Sequence, residues 1–302
     1  MMLGAVDAQT LVDALGLGSI YALMAVGIGL VFGVLRLVNF AYGQLIMAGA
    51  YTLAYTASWP VVWSIVACFA VVIALSTAMD RVVFRPLRGQ SPAVMLVTTF
   101  AIAFMLQAIA LLIDLRDGTI GEVASSIAPL NQAVTIGGVD VRKVIFVSVA
   151  VAAAILLLLA LLLARTTIGL HMRAASADFA TARLLGVRAN RVIGFAVFLS
   201  ALVAGTVAVL MTVQNPFVSP DFALRETIVV LVGVVVGGMN RLWTATLGGF
   251  AIGFATGVIN GALPTEKTVY LPTAVFALVI LVLLLRPAGL FNWGRQAAAE
   301  RV

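Results

Sequence analysis

The amino-acid sequence predicts an all-α protein that crosses a membrane several times. Of its 302 residues, 63% are hydrophobic and only 10% are charged, whereas soluble domains average about 25% charged residues. The mean hydropathy of +1.17 also indicates a membrane protein. The hydrophobic residues form continuous runs of roughly 20, the length that an α-helix needs to cross the hydrocarbon core, and not the alternating pattern of a transmembrane barrel.

Nine apolar segments follow one another along the chain. They lie near residues 14–35, 40–58, 60–79, 92–113, 143–164, 192–213, 222–239, 242–262 and 269–285. We expect one transmembrane domain over residues 1–302, with an outer loop at 114–141 and an inner loop at 165–191. The segment at 222–239 is either a crossing or a re-entrant element, so the prediction is eight or nine membrane segments.

The charged residues divide unequally between the two sides that nine crossings define. One side carries 13 of the 18 basic residues and three of the 12 acidic residues. Cytoplasmic loops carry an excess of Lys and Arg, so the N-terminus is predicted to lie outside and the C-terminus in the cytoplasm. One crossing over 222–262 would send the Arg-rich C-terminal tail outside, which favours two crossings joined at Gly237–Arg241. The net charge of +6 is explained by this topology and does not indicate nucleic acid binding.

A polar interruption lies inside the long apolar stretch Gly16–Tyr55. It contains Arg36, Asn39, Tyr42 and Gln44. Irregular backbone survives in a bilayer only where protein or a water-filled cavity surrounds it. We therefore predict that Asn39, Tyr42 and Gln44 line or brace a translocation path. The alternative is that they only cap a helix break and form hydrogen bonds between helices.

The segment at 242–262 carries glycine at every fourth position. These residues are Gly249, Gly253, Gly257 and Gly261. On a helix this spacing makes a flat stripe that lets a neighbouring backbone approach closely, which is how helices pack in lipid. We predict a role in helix packing for the stripe, rather than contact with a ligand.

The inner loop combines basic residues with small and apolar ones. Its stretch from Ala174 to Leu185 can form short helical turns, and Gly186 is a natural helix stop. A short amphipathic helix at this face could lie on lipid or dock in a groove of a partner protein. The simpler alternative is a basic loop that only sets the topology.

Several kinds of chemistry lack the residues that they require. The chain has no GxxxxGK[ST] phosphate-binding loop, and its only lysines are Lys143 and Lys267. Its only histidine, His171, has no second metal ligand nearby, and its only cysteine, Cys68, excludes an internal disulfide. We predict no catalytic residue, no metal site and no cofactor. Almost no ionisable group is expected in the apolar interior, which argues against an ion-coupled carrier.

Four stretches resemble, in the same order, the permeases of branched-chain amino acid ABC transporters (LivH type), within a wider bacterial family that includes the ribose importers. They are GSIYALMAVGIGLVFGVLRLVNFAYGQLIMAGAY at 18–51, the inner loop with Gly169, Arg173, Ala174, Asp178, Ala182, Gly186 and Val187, LVGVVVGGMNRLWTATLGGFAIG at 231–253, and RPAGLF at 286–291. The inner loop is similar to the ATPase-coupling loop of that family.

The resemblance implies a transport subunit in a bacterial inner membrane, and not an enzyme. It implies a second, related permease, two cytoplasmic ATPases that hold ATP and Mg²⁺, and an extracytoplasmic solute-binding protein. The residues that it places at the ATPase contact are Arg173, Ala174, Asp178, Ala182, Arg183 and Gly186. The expected solute is a branched-chain or other small amino acid.

The sequence departs from the family pattern at the polar interruption. Where many relatives read NFAHGE, this chain has NFAYGQ at 39–44, so a phenol and an amide replace an imidazole and a carboxylate. Both still form hydrogen bonds, but the local charge differs. A urea or short-amide permease therefore stays open as an alternative, as do an ATP-independent channel for a small solute and a purely structural membrane scaffold.

Overall fold

The computed structural model describes residues 8–35, 38–87, 90–127, 130–136, 139–177, 179–238 and 241–285. Its α-helices are α1 Ala8–Leu35, α2 Tyr42–Tyr55, α3 Val61–Met79, α4 Pro92–Asp117, α5 Lys143–Arg165, α6 Thr167–Ala177, α7 Phe179–Leu184, α8 Ala189–Gln214, α9 Leu224–Gly237, α10 Leu242–Ala262 and α11 Leu271–Leu285. A π-helical turn, Asp80–Phe84, extends α3, and a 3₁₀ helix, Thr265–Tyr270, precedes α11. The prediction of a polytopic helical bundle is confirmed.

Within the described ranges, seven helices are long and apolar enough to cross a membrane. They span Ala8–Val34, Val61–Phe84, Ala93–Asp117, Lys143–Arg165, Asn190–Gln214, Leu242–Ala262 and Glu266–Leu285. The two other predicted segments, at 40–58 and 222–239, contain α2 and α9, which have 14 residues each. Such a helix is about 21 Å long, less than the ~30 Å of the hydrocarbon core. The count of eight or nine crossings depends on these two short helices and stays a prediction.

Helix α1 forms the axis of the bundle. It contacts α10, α8, α5 and α9, and the side chains of Leu23, Met24 and Ile28 are almost completely buried. The outer helices differ, because α4 and α11 contribute exposed apolar residues such as Phe104 and Leu284. A helix that is apolar all round is expected either in the centre of a membrane bundle or against lipid.

The glycine stripe of α10 faces α1. A Cβ atom at Gly253 would lie 2.7 Å from the Cβ of Tyr21, and one at Gly257 would lie 2.5 Å from the Cα of Ala14. A Cβ atom at Gly249 would likewise collide with Ala25 of α1, and one at Gly261 with Thr10. Side chains at these positions would push the two helices apart, so the contact of α10 with α1, here called the glycine seam, is as close as two backbones allow.

Two short antiparallel sheets were not predicted. β1 Glu122–Val123 pairs with β4 Phe217–Val218, and β2 Ala133–Ile136 pairs with β3 Val139–Arg142. The hairpin of β2 and β3 lies in the predicted outer loop at 114–141. Strands of two to four residues are too short to leave a period-2 pattern that can be separated from loop sequence, which is why the all-α prediction missed them.

Candidate functional site

The polar interruption is a turn between α1 and α2, and Asn39 organises it. The buried Asn39 accepts a hydrogen bond at Oδ1 from the backbone N–H of Ala41 (3.0 Å), and its carbonyl accepts one from Tyr42 N–H (3.3 Å). The N–H of Phe40 donates to the Thr99 hydroxyl of α4 (3.4 Å). A side chain that bonds to the backbone two residues on is typical of Asn in turns. Asn39 therefore holds the turn at the helix break.

Tyr42 and Gln44 follow on the first turn of α2 and are both about 1% exposed. The Tyr42 ring packs against Gly27 of α1, where a Cβ atom would collide with the phenol. The carbonyl of Gly27 accepts a hydrogen bond from the Ser200 hydroxyl of α8 (2.7 Å). Tyr42 Oη and Gln44 Oε1 are buried without a hydrogen-bond partner among the described residues. Unsatisfied buried polar atoms are costly and mark a functional role or an absent partner.

The two 14-residue helices begin next to each other. A Cβ atom at Gly43, in the first turn of α2, would lie 2.8 Å from the carbonyl oxygen of Ala223 and against the side chain of Thr227, where α9 begins. The hydroxyl of Thr227 donates back to the carbonyl of Ala223 (2.6 Å). Broken or half-length helices of this kind often form the solute sites of membrane transporters.

A small apolar cavity of about 70 Å³ lies at this junction. It is lined by Phe40, Phe100, Ala103, Phe104, Gln107, Leu224 and Ile228. The ring centroids of Phe40 and Phe100 are 4.5 Å apart, and those of Phe100 and Phe104 are 5.6 Å apart. None of Asn39, Tyr42 and Gln44 is among its lining residues, although Asn39 is next to Phe40 in the chain. Sequence reasoning missed this cavity, because only the spacing of Phe100 and Phe104 hints at a shared face.

A buried carboxylate near the C-terminal end of α4 was also missed. Asp114 is fully buried, and its Oδ2 accepts hydrogen bonds from the hydroxyl of Tyr51 (2.7 Å) and the N–H of Gly121 (2.9 Å). One turn later on both helices, the exposed Tyr55 hydroxyl donates to Asp117 (3.0 Å). The two tyrosine–aspartate bonds connect α2 to α4. The partners are 62 and 63 residues apart in sequence, so no local pattern announces them.

The inner loop folds into α6 and α7, and α7 ends as the sequence predicts. Gly186 has a φ of +89°, and the N–H of Val187 donates to the carbonyl of Ala182 (3.0 Å). This is the hydrogen bond of a Schellman motif, which favours glycine at the left-handed position. The side chains of Leu184 and Leu185, just before the turn, are 88% and 81% exposed.

The other residues predicted at the ATPase contact differ in their exposure. Ala175 and Ala182 are buried, Ala174 is half-buried and Arg173 is exposed. Asp178 lies outside the described residues, as does the side chain of Arg183. Helix α6 follows α5 after a single residue, Thr166, whose hydroxyl accepts a hydrogen bond from the N–H of Gly169 (3.0 Å). The cap and the tight corner fix α6 across the end of α5.

A second cavity, of about 580 Å³, lies between α6 and parts of α1, α5 and α10; we call it the inner cavity. Its walls come from α1, α5, α6, α10 and one residue of α9. They comprise Val26, Gly29, Leu30, Phe32, Gly33, Val34, Leu156, Leu159, Ala160, Leu163, Ala164, Met172, Arg173, Ser176, Val234, Arg241, Leu242, Trp243, Thr244, Ala245 and Thr246. Arg173 connects the predicted ATPase contact directly to this space.

Across the residues that the structure describes, no group of three or more His, Cys, Asp or Glu could hold a metal ion.

Comparison with known proteins is in line with this architecture. A family model described as "Branched-chain amino acid transport system / permease component" matches residues 10–286. The permease protein BraD of the high-affinity branched-chain amino acid transport system of Pseudomonas aeruginosa is 29% identical, over 94% of this chain and 95% of its own length. LivH of Escherichia coli K12 is 26% identical over the same shares, and a probable LivH of Methanocaldococcus jannaschii is 25% identical over 90% and 88%. No solved structure matched.

The family match covers almost all of the described helices, from the first turn of α1 to the end of α11. It includes the helix break, the glycine seam and the inner loop. The family membership that the four motifs predict is thus confirmed. The chain belongs to the family of permease components of branched-chain amino acid transport systems.

Proposed function

We propose that the chain is a membrane permease subunit of an ATP-driven importer that moves branched-chain or other small amino acids. The family match over residues 10–286 carries the proposal, and the relatives from Pseudomonas aeruginosa and Escherichia coli are named as permeases of high-affinity branched-chain amino acid transport. An extracytoplasmic binding protein would deliver the solute, and a second permease would complete the pathway, in a bacterial inner membrane.

Energy would come from separate ATPases that contact α6 and α7. The sequence has no phosphate-binding loop of its own. The exposed Leu184 and Leu185 form an apolar tip, and Arg173 and Arg188 are exposed cations of the same loop. An apolar anchor with a charged rim is the usual composition of a protein interface. The residues proposed at this contact are Arg173, Ala174, Asp178, Ala182, Arg183 and Gly186, together with Leu184 and Leu185.

The orientation follows from this assignment. With the N-terminus outside, α6 and α7 face the cytoplasm, where the ATPases and their ATP and Mg²⁺ would be. Counting α2 and α9 as the second and seventh membrane segments gives nine, and the excess of basic residues then lies inside. The two short helices would meet within the membrane, protected from lipid by the surrounding helices.

The solute would pass close to the junction of α2 and α9. Asn39, Tyr42 and Gln44 would brace this path: Asn39 holds the turn, and the unsatisfied Tyr42 and Gln44 oxygens would gain partners when the junction rearranges. ATPase closure can drive such a change only if the ATPases bind the two states with different free energies. Since α6 stands over a cavity, it has room to move without unpacking the glycine seam.

Reconstitution tests this function directly. The chain is placed in proteoliposomes with its second permease and ATPases, and uptake of labelled leucine is measured with the binding protein and ATP supplied together. We expect uptake that requires every component. Uptake at the same rate by the chain alone, without ATP, would overturn the proposal and establish a channel.

The same assay addresses the second candidate, a urea or short-amide permease. The observation that favours it is the replacement of a titratable pair by Tyr42 and Gln44 at an uncharged junction. Labelled urea or acetamide, offered in place of leucine, is expected to give no ATP-dependent uptake. Uptake of the amide but not of leucine would reassign the solute while leaving the importer mechanism intact.

A further inference from the structure

The inner cavity combines an apolar wall with two cations. Leucines of α5 and the Gly29–Val34 stretch of α1 supply the wall, and Arg173 of α6 and Arg241, just before α10, supply the charges. None of the described residues that line it is acidic. At about 580 Å³, it is within the ~300–1,000 Å³ range of sites for ligands of some size.

This composition does not suit the amino acid that the importer would carry. A zwitterion needs an acceptor or an anion for its ammonium group as well as donors for its carboxylate. The described walls offer two guanidinium groups and no carboxylate. Their side-chain acceptors are the neutral hydroxyls of Ser176, Thr244 and Thr246, so the ammonium group would find no opposite charge. The composition suits an anion with a long apolar body.

The cavity also lies at the lipid boundary. On α5, Leu156, Leu159 and Leu163 line the cavity. Leu157 and Leu158, on the same helix, are 62% and 64% exposed and face outward from the bundle. The side chain of Trp243 lines the cavity and is 64% exposed, as is common for aromatic residues at a membrane–water interface. A lipid could therefore enter sideways, between α5 and the start of α10.

We propose that the inner cavity binds one anionic phospholipid of the cytoplasmic leaflet. The phosphate lies between Arg173 and Arg241. An acyl chain passes Gly33, where a Cβ atom would have no neighbour within 4 Å, and runs along the α5 leucines towards Leu156. Basic pockets between membrane helices on the cytoplasmic side are suited to such headgroups. The lipid occupies the space that α6 borders together with α1, α5 and α10.

Trp243 provides a built-in reporter for the test. The full chain is prepared with Trp59, Trp63 and Trp293 changed to Phe and placed in phosphatidylcholine nanodiscs. Increasing fractions of the lipid are then replaced by phosphatidylglycerol or by phosphatidylcholine, each brominated on its acyl chains. We expect brominated phosphatidylglycerol to quench Trp243 at several-fold lower mole fraction. Equal quenching by the two lipids overturns the proposal.

The headgroup contact is tested by Arg241→Gln with Arg81→Gln as its control. Arg81 is exposed on the same basic side but does not line the cavity. One Arg near an anionic surface contributes about 1 kcal/mol, or about fivefold in affinity. The preference for phosphatidylglycerol should fall about fivefold in Arg241→Gln and persist in Arg81→Gln and in Arg241→Lys. An equal loss in Arg81→Gln would indicate general attraction to the surface and overturn the site.

The acyl-chain contact is tested by Gly33→Leu with Gly194→Leu as its control. Both glycines have open space at the Cβ position, but only Gly33 lines the inner cavity. Gly33→Leu should reduce quenching by either brominated lipid, whereas Gly194→Leu should not. Unchanged quenching in Gly33→Leu means that no chain occupies the cavity and contradicts the proposal.

Inorganic phosphate separates a lipid from a free anion. Added to the nanodiscs at matched ionic strength, it should leave the preference for phosphatidylglycerol unchanged. If phosphate abolishes the preference, the cavity is a site for a soluble anion and the proposal fails.

Discussion

The glycine seam and the inner cavity both lie along α1 and α10, but the two helices pack closely in the seam and leave open space at the cavity. In the seam, a Cβ atom at Gly257 of α10 would lie only 2.5 Å from the Cα of Ala14 of α1. At the other end, Leu242 and Ala245 of α10 and Gly33 of α1 line a cavity of about 580 Å³. Close packing transmits force and resists change. If ATPases act on α6 as proposed, the contrast predicts that the motion is accommodated at the cavity end, while the seam stays fixed.

The largest expected effect comes from disrupting the seam. Gly257→Leu should destabilise the chain by about 3 kcal/mol, because the new side chain meets the backbone of Ala14 and overpacking of this kind costs about 1–3 kcal/mol or more. Gly33→Leu, the matched change at the inner cavity, should cost less than about 1 kcal/mol. Unfolding in detergent measures both. If both variants unfold alike, the two regions do not differ in packing.

The next effect concerns the apolar tip of the inner loop. Changing Leu184 and Leu185 together to Ser should lower ATP-dependent uptake at least tenfold, since losing an exposed apolar anchor at an interface costs about 2 kcal/mol or more. The stability of the isolated chain should not change. Ile120→Ser is the control, because Ile120 is 74% exposed in the outer loop. Normal uptake by the Leu184/Leu185 variant would show that the tip does not contact the ATPases.

Where the C-terminal ends of α2 and α4 meet, two tyrosine-to-phenylalanine substitutions should differ in the stability that they remove. Tyr51→Phe removes a hydrogen bond to the buried Asp114 and should destabilise by about 1.5–3 kcal/mol. Tyr55→Phe removes the bond to Asp117 at the surface and should cost below about 1 kcal/mol. Thermal unfolding in detergent compares the two. A smaller effect for Tyr51→Phe than for Tyr55→Phe would mean that Asp114 does not hold α2 against α4.

The smallest effect is expected at the end of α7. Gly186→Ala should destabilise the turn by about 1–2 kcal/mol, because a Cβ atom is unfavourable at a φ of +89°. Gly186→Asn should cost less, since Asn tolerates this region better. Space is not the cause, because a Cβ atom here meets nothing within 4 Å. Hydrogen exchange of the α7 amides reports the change, and equal protection in both variants would argue against strain at this residue.

Sequence patterns located features that depend on neighbours in the chain. The apolar run at 143–164 appears as α5, Lys143–Arg165, and Gly186 ends α7. The order of the four motifs identified the family. In each case, hydrophobicity, a single glycine or a short motif carries enough information by itself.

Features that depend on contacts across the fold were not predictable. Asp114 looks like a loop residue in the sequence, yet Tyr51, 63 residues away, makes its burial tolerable. The shortness of α2 depends on the turn that Asn39 caps and on the meeting of Gly43 with Thr227. The inner cavity depends on where α6 lies relative to α1, α5 and α10, which the composition of the loop does not specify.

One distance measurement tests the contrast most directly. In a Cys68→Ala background, spin labels are placed at Leu247 of α10 and either Leu170 of α6 or Leu15 of α1, all partly exposed. Distances are measured in the full transporter complex with and without trapped ATP. The distance from Leu170 to Leu247 should change, and that from Leu15 to Leu247 should not. A shift across the seam with an unchanged α6 distance would contradict the account.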